Sequence, residues 1–417
     1  MAEGNAQGGI MIRKDSSDGV GYSVVDLADV RHVFASAAPL NGGTLAEQPN
    51  EALRKIESVV AEEGARGSVV RQAVFIRDAS MIEECQRIMR DFYKDQMPAI
   101  IYIPQPPCDG KLVSIEAFGV GRGLGEVKIQ RHSEQLVETS HDGITWFHCG
   151  QTVPNTPASG VYDRSISAFG ETQKALASRG VKYDQIIRTW LYLGDIVGPE
   201  GETQRYKELN RARTDFYRDF RFAAGRTPDV IKQTVYPAST GIGTSNCDVT
   251  MSCIALVSDR DDVILMPLEN PQQVAAFDYA EHYSPESPKF CRAMAIAVGQ
   301  CATILVSGTA SITESETRFI DDVEGQTNQT LDNIAALISE DNFKQHGMPG
   351  LGATLDDMAL VRVYIKYQDD YEKTKVICQQ RLGGLPIIYA IGDVCREDLL
   401  VEIEGIAFST RCAHASL

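Results

Sequence analysis

Hydrophobic and polar positions run through the same order three times along this chain. Three strings of eight residues, Arg71–Asp78 (RQAVFIRD), Arg188–Asp195 (RTWLYLGD) and Arg362–Asp369 (RVYIKYQD), begin with Arg, pass through β-branched and aromatic residues, and end in Asp. That composition predicts a strand running into a turn. Before each string, in 52–64, 166–180 and 326–341, apolar residues recur at three- and four-residue spacing and predict a helix. Gly64 and Gly180 are stop signals for the first two. A second helical pattern follows each string, in 79–93, 203–220 and 370–382. Each set then closes on a strand: KLVSIEAFGV (111–120), CDVTMSCIAL (247–256) and LLVEIEGIAF (399–408). Hairpin-like stretches such as VRHVFASAAPLNGG, ITWFHCGQTVP and ATILVSGTASIT stand before the first helix of each set.

The order β-β-α-β-α-β, three times over, defines an α+β unit of ~110–120 residues with helices on one face of a sheet. Boundaries fall at 20–122, 125–260 and 265–412, joined by the Gly-rich GVGRGLGE (119–126) and the charged VSDRDDV (257–263). A chain of 417 residues exceeds one ordinary core, which agrees with several units.

Composition narrows the function classes. Hydrophobic residues make up 43% and charged residues 23%, as in soluble globular proteins. No apolar run reaches the ~20 residues of a membrane span. The first residues, MAEGNAQGGIMIRKDSSDG, lack the apolar segment of a secretory signal. A net charge of −17 argues against nucleic acid and anionic membranes as partners, while a few local arginines still leave room for a small anion. Ten cysteines without CxxC pairs and seven histidines without HxxxH or HExxH spacing predict no metal site. Together with the absent signal they predict a reducing cytoplasm.

The closing strands carry the candidate chemistry. Aligned, they place Ser114, Thr250 and Glu402 in one register and Glu116, Ser252 and Glu404 in the next. Residues two apart on a strand share a face, so Glu402 and Glu404 point the same way, the face opposite Val401, Ile403 and, across Gly405, Ile406. A carboxylate in so apolar a strand is an ion-pair partner or an acid with raised pKa. The third unit alone carries the extra one, Glu402, which predicts one active site per chain, in a cleft flanked by the second and third units.

At this point the chain resembles the Rid (YjgF-like) superfamily, in which three such units surround a three-fold axis, the sheets form a central barrel and ligands bind between neighbours. The resemblance implies three Rid-like repeats in one chain, a pseudo-trimer that stands as a monomer or associates further. Six blocks in order, RTWLYL (188–193), YPASTGIG (236–243), ENPQQVAAFDYAEHYSPESPKFCRA (269–293), GQTNQTLDNIAALIS (325–339), VRVYIK (361–366) and DVCREDLLVEIEG (393–405), are similar to those of chorismatases. That family hydrolyses the enolpyruvyl ether of chorismate, releases pyruvate and needs no cofactor.

The resemblance implies Glu402 as the acid that protonates the vinyl ether. Arg188, Arg213, Arg292 and Arg362, in the matching blocks, would grip the substrate carboxylates as planar bidentate donors. Tyr279, Tyr283 and Tyr364 are hydrogen-bond donors to a ring hydroxyl or carboxylate, and Lys366 shares the Tyr364 face. Thr240 and Gly241 lie in a short Gly-containing stretch whose backbone can approach a ligand closely. Cys395 stands where chorismatase subtypes differ, and Cys resembles the branch that forms 3-hydroxybenzoate rather than a dihydroxycyclohexadiene carboxylate. Two other readings stay open on the same scaffold: a Rid-type imine deaminase, and a non-catalytic small-molecule sensor. Against the deaminase, the position of its expected Arg falls near Ile387.

Overall fold

The computed structural model describes residues 12–27, 30–65, 67–122, 125–246, 248–279 and 286–409. They form a mixed α+β structure with three six-stranded sheets and two small two-stranded ones. The large sheets share one strand order. In the third it is Val263–Leu268, Ala293–Val298, Cys301–Ala310, Val401–Phe408, Met358–Ile365 and Ile387–Ile391. All neighbours pair antiparallel except the last two, and the other sheets likewise end on a parallel pair, Val69–Ile76 with Ala99–Ile103 and Ile186–Gly194 with Ala238–Thr244.

Each sheet therefore has two strands more than the sequence pattern predicts. One lies at the antiparallel edge. The other is the parallel edge strand, which periodicity hides for local reasons. Ala99–Ile103 is a five-residue apolar run beside prolines, and Ala238–Thr244 is rich in Gly, Ser and Thr. Both form because a neighbouring strand and a covering helix satisfy backbone groups that the local sequence does not favour pairing. A second departure concerns 326–341. The helix Val323–Ile338 ends at Ser339, whose hydroxyl caps Asn342 N at 3.2 Å and starts a new helix, Glu340–Gln345. Gly64 and Gly180 do end their helices, both with φ of 75°.

The three Arg-to-Asp strings form the strands expected, but not in one register. A bulge precedes Arg71 and Arg188 directly, whereas in the third sheet Leu360 occupies that place and Arg362 lies two residues further on. Bulge placement, invisible in composition, sets register. Ile406 also differs from expectation: it stays on the Glu404 face and joins the interior cavity wall.

Helices cover the outer face of every sheet, giving three separate cores, such as Leu331, Ile334 and Leu337 against Val361, Val363 and Ile403. The inner faces of all three sheets share a further core that includes Phe75, Trp190, Ile254, Leu305 and Tyr364. Covered on both faces, Val69–Ile76, Ile186–Gly194 and Met358–Ile365 are buried at every position. Isolated bridges, Ala238 with Cys291 and Pro107 with Ala390, link sheet edges, but no closed barrel joins the three sheets among the described residues. No helix among those residues is long and apolar enough to cross a membrane.

Candidate active site

A cavity of about 480 Å³ opens where the second sheet meets the third. One wall is the edge strand Ala238–Thr244 with the helix Arg205–Tyr217; the other is the strands Cys301–Ala310 and Val401–Phe408 with the loop 395–399. The seam is tied by side chains. Ser307 Oγ donates to Cys291 O at 2.6 Å and accepts from Ser239 N at 2.9 Å, and Gly308 N donates to Thr240 Oγ1 at 3.0 Å. Ser307 and Gly308 form a bulge between Val306 and Thr309, opposite Glu404, while Glu402 pairs with Ala310 just beyond it. Such bulges re-aim neighbouring side chains. Gly308 is required for space, since a Cβ there would overlap the Glu402 carboxylate.

Glu402 and Glu404 share the inner face, yet their surroundings are opposite. Glu404 accepts from Trp190 Nε1 at 2.8 Å, Tyr364 OH at 2.6 Å and Arg362 Nη1 at 3.1 Å, and also from Arg188 and Thr240. Burial pushes its pKa up, but Arg188, Arg362 and the two hydroxyls outweigh burial and hold it below the usual carboxylate range. Glu402 lines the cavity and makes no hydrogen bond or ion pair among the described residues. Burial and then the Glu404 charge raise it to about 8, against the pull of Arg188 and Arg292. At pH 7 the neutral acid is the dominant form.

Cations flank that acid. Arg292 donates to Tyr279 OH and, at 3.2 Å, to Val274 O; Arg213 donates to Asn210 Oδ1 at 2.5 Å and to Ser239 Oγ at 3.5 Å. Both are buried, both leave Nε without a partner, and both stand near the Phe290 ring, at 5.7 Å for Arg213 and 5.6 Å for Arg292. Phe290 thus lies beside both guanidiniums. Cys395 completes the wall as a neutral thiol, pushed up to about 12 by burial and by Glu402.

Of the residues expected from sequence, Glu402, Cys395, Arg213, Arg292, Tyr279 and Gly241 meet at the cavity. Thr240 lies directly behind it, bridging Arg188, Glu404 and Gly308. Arg188, Arg362 and Tyr364 do not line it; they are committed to Glu404 and the interior. Lys366 braces the cavity loop from behind, bonded to Glu397 O at 2.8 Å and paired with Asp393 at 3.2 Å. Tyr283 falls outside the described residues. The sequence did not single out Tyr206, Lys207, Asn210, Phe290, Gly308 or Arg396. Tyr206, Asn210 and Arg213 lie four and three apart on one helix, so their common face was a signal available in the sequence.

Comparison with known proteins adds an independent line. A family model described as chorismatase FkbO/Hyg5-like, N-terminal, matches residues 124–255. A 3-hydroxybenzoate synthase of Streptomyces hygroscopicus is 31% identical over 274 residues, covering 64% of this chain and 76% of that protein. The chain belongs to the chorismatase family. A protein named chorismatase from the same organism is 30% identical over 282 residues, spanning 66% of this chain and 77% of the relative. A chorismatase crystal structure superposes with a TM-score of 0.62 at 21% identity, over 82% of this chain and 93% of that one, so the fold is shared.

Proposed function

We propose that this chorismatase-family protein cleaves the enolpyruvyl ether of chorismate, with Glu402 as general acid and pyruvate as one product. The observation that carries the reading is a neutral, unpartnered carboxylic acid facing a cavity that Lys207, Arg213, Arg292 and Arg396 also line, beside Glu397 and Asp398. Arg213 and Arg292 would each take one carboxylate of the dianion, with the Phe290 ring beside both guanidiniums. The Glu402 proton goes to the methylene carbon of the vinyl ether, leaving an oxocarbenium ion; general-acid transfer of this kind contributes ~10²–10⁴-fold. Capture by water gives a hemiketal that collapses to pyruvate and a dihydroxycyclohexadiene carboxylate. Capture by an oxygen of the ring itself leads to pyruvate and 3-hydroxybenzoate with no net water consumed. Cys395, on the wall beside the acid, favours the second route by occupying space that water would need.

The same reading takes 20–122, 125–260 and 265–412 as three units about a pseudo-three-fold axis, with their inner faces forming a barrel-like centre. The shared strand order and the common inner core support it. The test of function is pyruvate release from chorismate by purified protein beside Glu402→Gln. Enzymatic pyruvate that disappears in the variant supports the assignment, and the aromatic product names the branch. No pyruvate above the spontaneous rate would overturn it.

A further inference from the structure

The interior between the three sheets holds a second, smaller cavity of about 70 Å³, and Arg71, Arg188 and Arg362 all line it. Two of these guanidiniums have carboxylates. Arg362 grips Glu116 through two bonds of 2.6 and 2.7 Å, and Arg188 pairs with Glu404. Arg71 has none. It reaches Ser252 Oγ at 3.1 Å and Cys253 O at 3.4 Å, and it makes no ion pair among the described residues. Ser252 stands at the closing-strand position that Glu116 and Glu404 occupy in the other two sheets, so one of three carboxylates is missing. The Trp190 ring face, 4.0 Å from the Arg71 guanidinium carbon, offsets part of the buried charge but cannot neutralise it.

A second observation points to the same occupant. Trp146 Nε1, His141 Nδ1 and His148 Nδ1 are buried without hydrogen-bond partners, and all three residues line this cavity. An indole nitrogen only donates, and a neutral imidazole can present Nδ1–H. The imidazoles are neutral: burial pushes His148 down to about 3, helped by Arg71, His141 and His32, and lowers His141 as well, against a small opposing pull from Asp142. The remaining wall is largely apolar, including Phe34, Phe118 and Phe408.

We propose that this interior cavity binds a small monovalent anion of halide size on Arg71, in the place of the missing third carboxylate. The anion accepts from the guanidinium and from the orphaned ring N–H groups and cancels the excess positive charge. Water would satisfy the donors but leave the charge. The space accommodates more than one water-sized occupant, and the apolar wall disfavours large or multivalent hydrated anions. This site is separate from the Glu402 cavity and independent of the reaction assigned to it.

The test is a crystal soaked in bromide, read by anomalous scattering, beside thermal unfolding in sodium bromide and in sodium gluconate at equal ionic strength. We expect an anomalous peak within hydrogen-bond distance of Arg71 and a saturable rise in Tm with bromide that gluconate does not give. Ser252→Glu, which restores the third carboxylate, should abolish that rise; Trp146→Phe should shift it to higher bromide and serves if Ser252→Glu does not fold. No bromide peak at Arg71 would overturn the proposal, as would a salt response identical in wild type and Trp146→Phe.

Discussion

Two clefts of this molecule have the same size and the same topological place but different chemistry. Where the second sheet meets the third, about 480 Å³ is lined by Glu402, Cys395, the cations Lys207, Arg213, Arg292 and Arg396, and the acids Glu397 and Asp398. Where the edge strand Ile387–Ile391 meets the first sheet, another cavity of about 480 Å³ is lined by Ser16, Ser17, Ser36, Ser114, Gln379 and Tyr389, with Asp18 its one charged group. Ser114 holds the place that Glu402 has in the third unit. At the remaining junction the edge strand Ala99–Ile103 packs tightly against the second sheet: a Cβ at Gly150 would sit 2.6 Å from Ile100 O, and Tyr102 N donates to Gln151 Oε1 at 3.2 Å, while a smaller cavity of about 160 Å³ lies beside Arg131. One scaffold thus yields a charged cleft, a neutral cleft and a tight seam. Repetition supplies concave space, and a handful of substitutions decides which space can hold a dianion and protonate it.

The sharpest way to break this comparison is Glu402→Gln, which keeps the shape and removes the proton. It should lower kcat for pyruvate release by ~10²–10⁴-fold with the fold intact by circular dichroism. Gly308→Ala comes next. Its methyl group displaces the Glu402 carboxylate, and a misplacement of about 1 Å costs ~10²-fold in kcat. Arg292→Met should act mainly on KM, raising it by ~10–100-fold, the worth of about 1.5–3 kcal/mol for a hydrogen bond to a charged group.

A pH profile of kcat sharpens the electrostatic side of the contrast. Glu402 is raised to about 8 and, as the proposed general acid, would work in its protonated form, so kcat should stay level through neutral pH and fall about tenfold per unit above about 8. A profile that instead rises through that range would assign the acid elsewhere. The smallest effect belongs to the neutral cleft: Ser114→Glu should add no pyruvate release to a Glu402→Gln background, because no guanidinium lines that cavity.

Much of the fold was legible because it rests on local rules. Helices announced themselves by apolar spacing, Gly64 and Gly180 marked their ends, and the three closing strands alternated apolar and polar positions. The parallel edge strands were not legible, since their pairing is made by neighbours distant in sequence. The same divide runs through the site. Glu402 stood out because no other unit carries an acid at that position, and Arg213 and Arg292 because basic residues in those blocks suit an anionic substrate. Arg188 and Arg362 looked equivalent to them in sequence but are spent on Glu404.

What the sequence determined by itself was the succession of elements, their threefold recurrence and the oddity of two glutamates on one strand face. Only the tertiary structure decided which glutamate is held as a carboxylate and which faces the cavity with a raised pKa. Both lie on the same strand, two residues apart, so propensity and pattern treat them alike. Their difference arises because the second sheet brings Arg188, Thr240 and Trp190 to Glu404, while the Ser307–Gly308 bulge and the open cleft leave Glu402 beside space. A pKa is set by burial and by charges within a few ångströms, and those neighbours come from parts of the chain more than a hundred residues away.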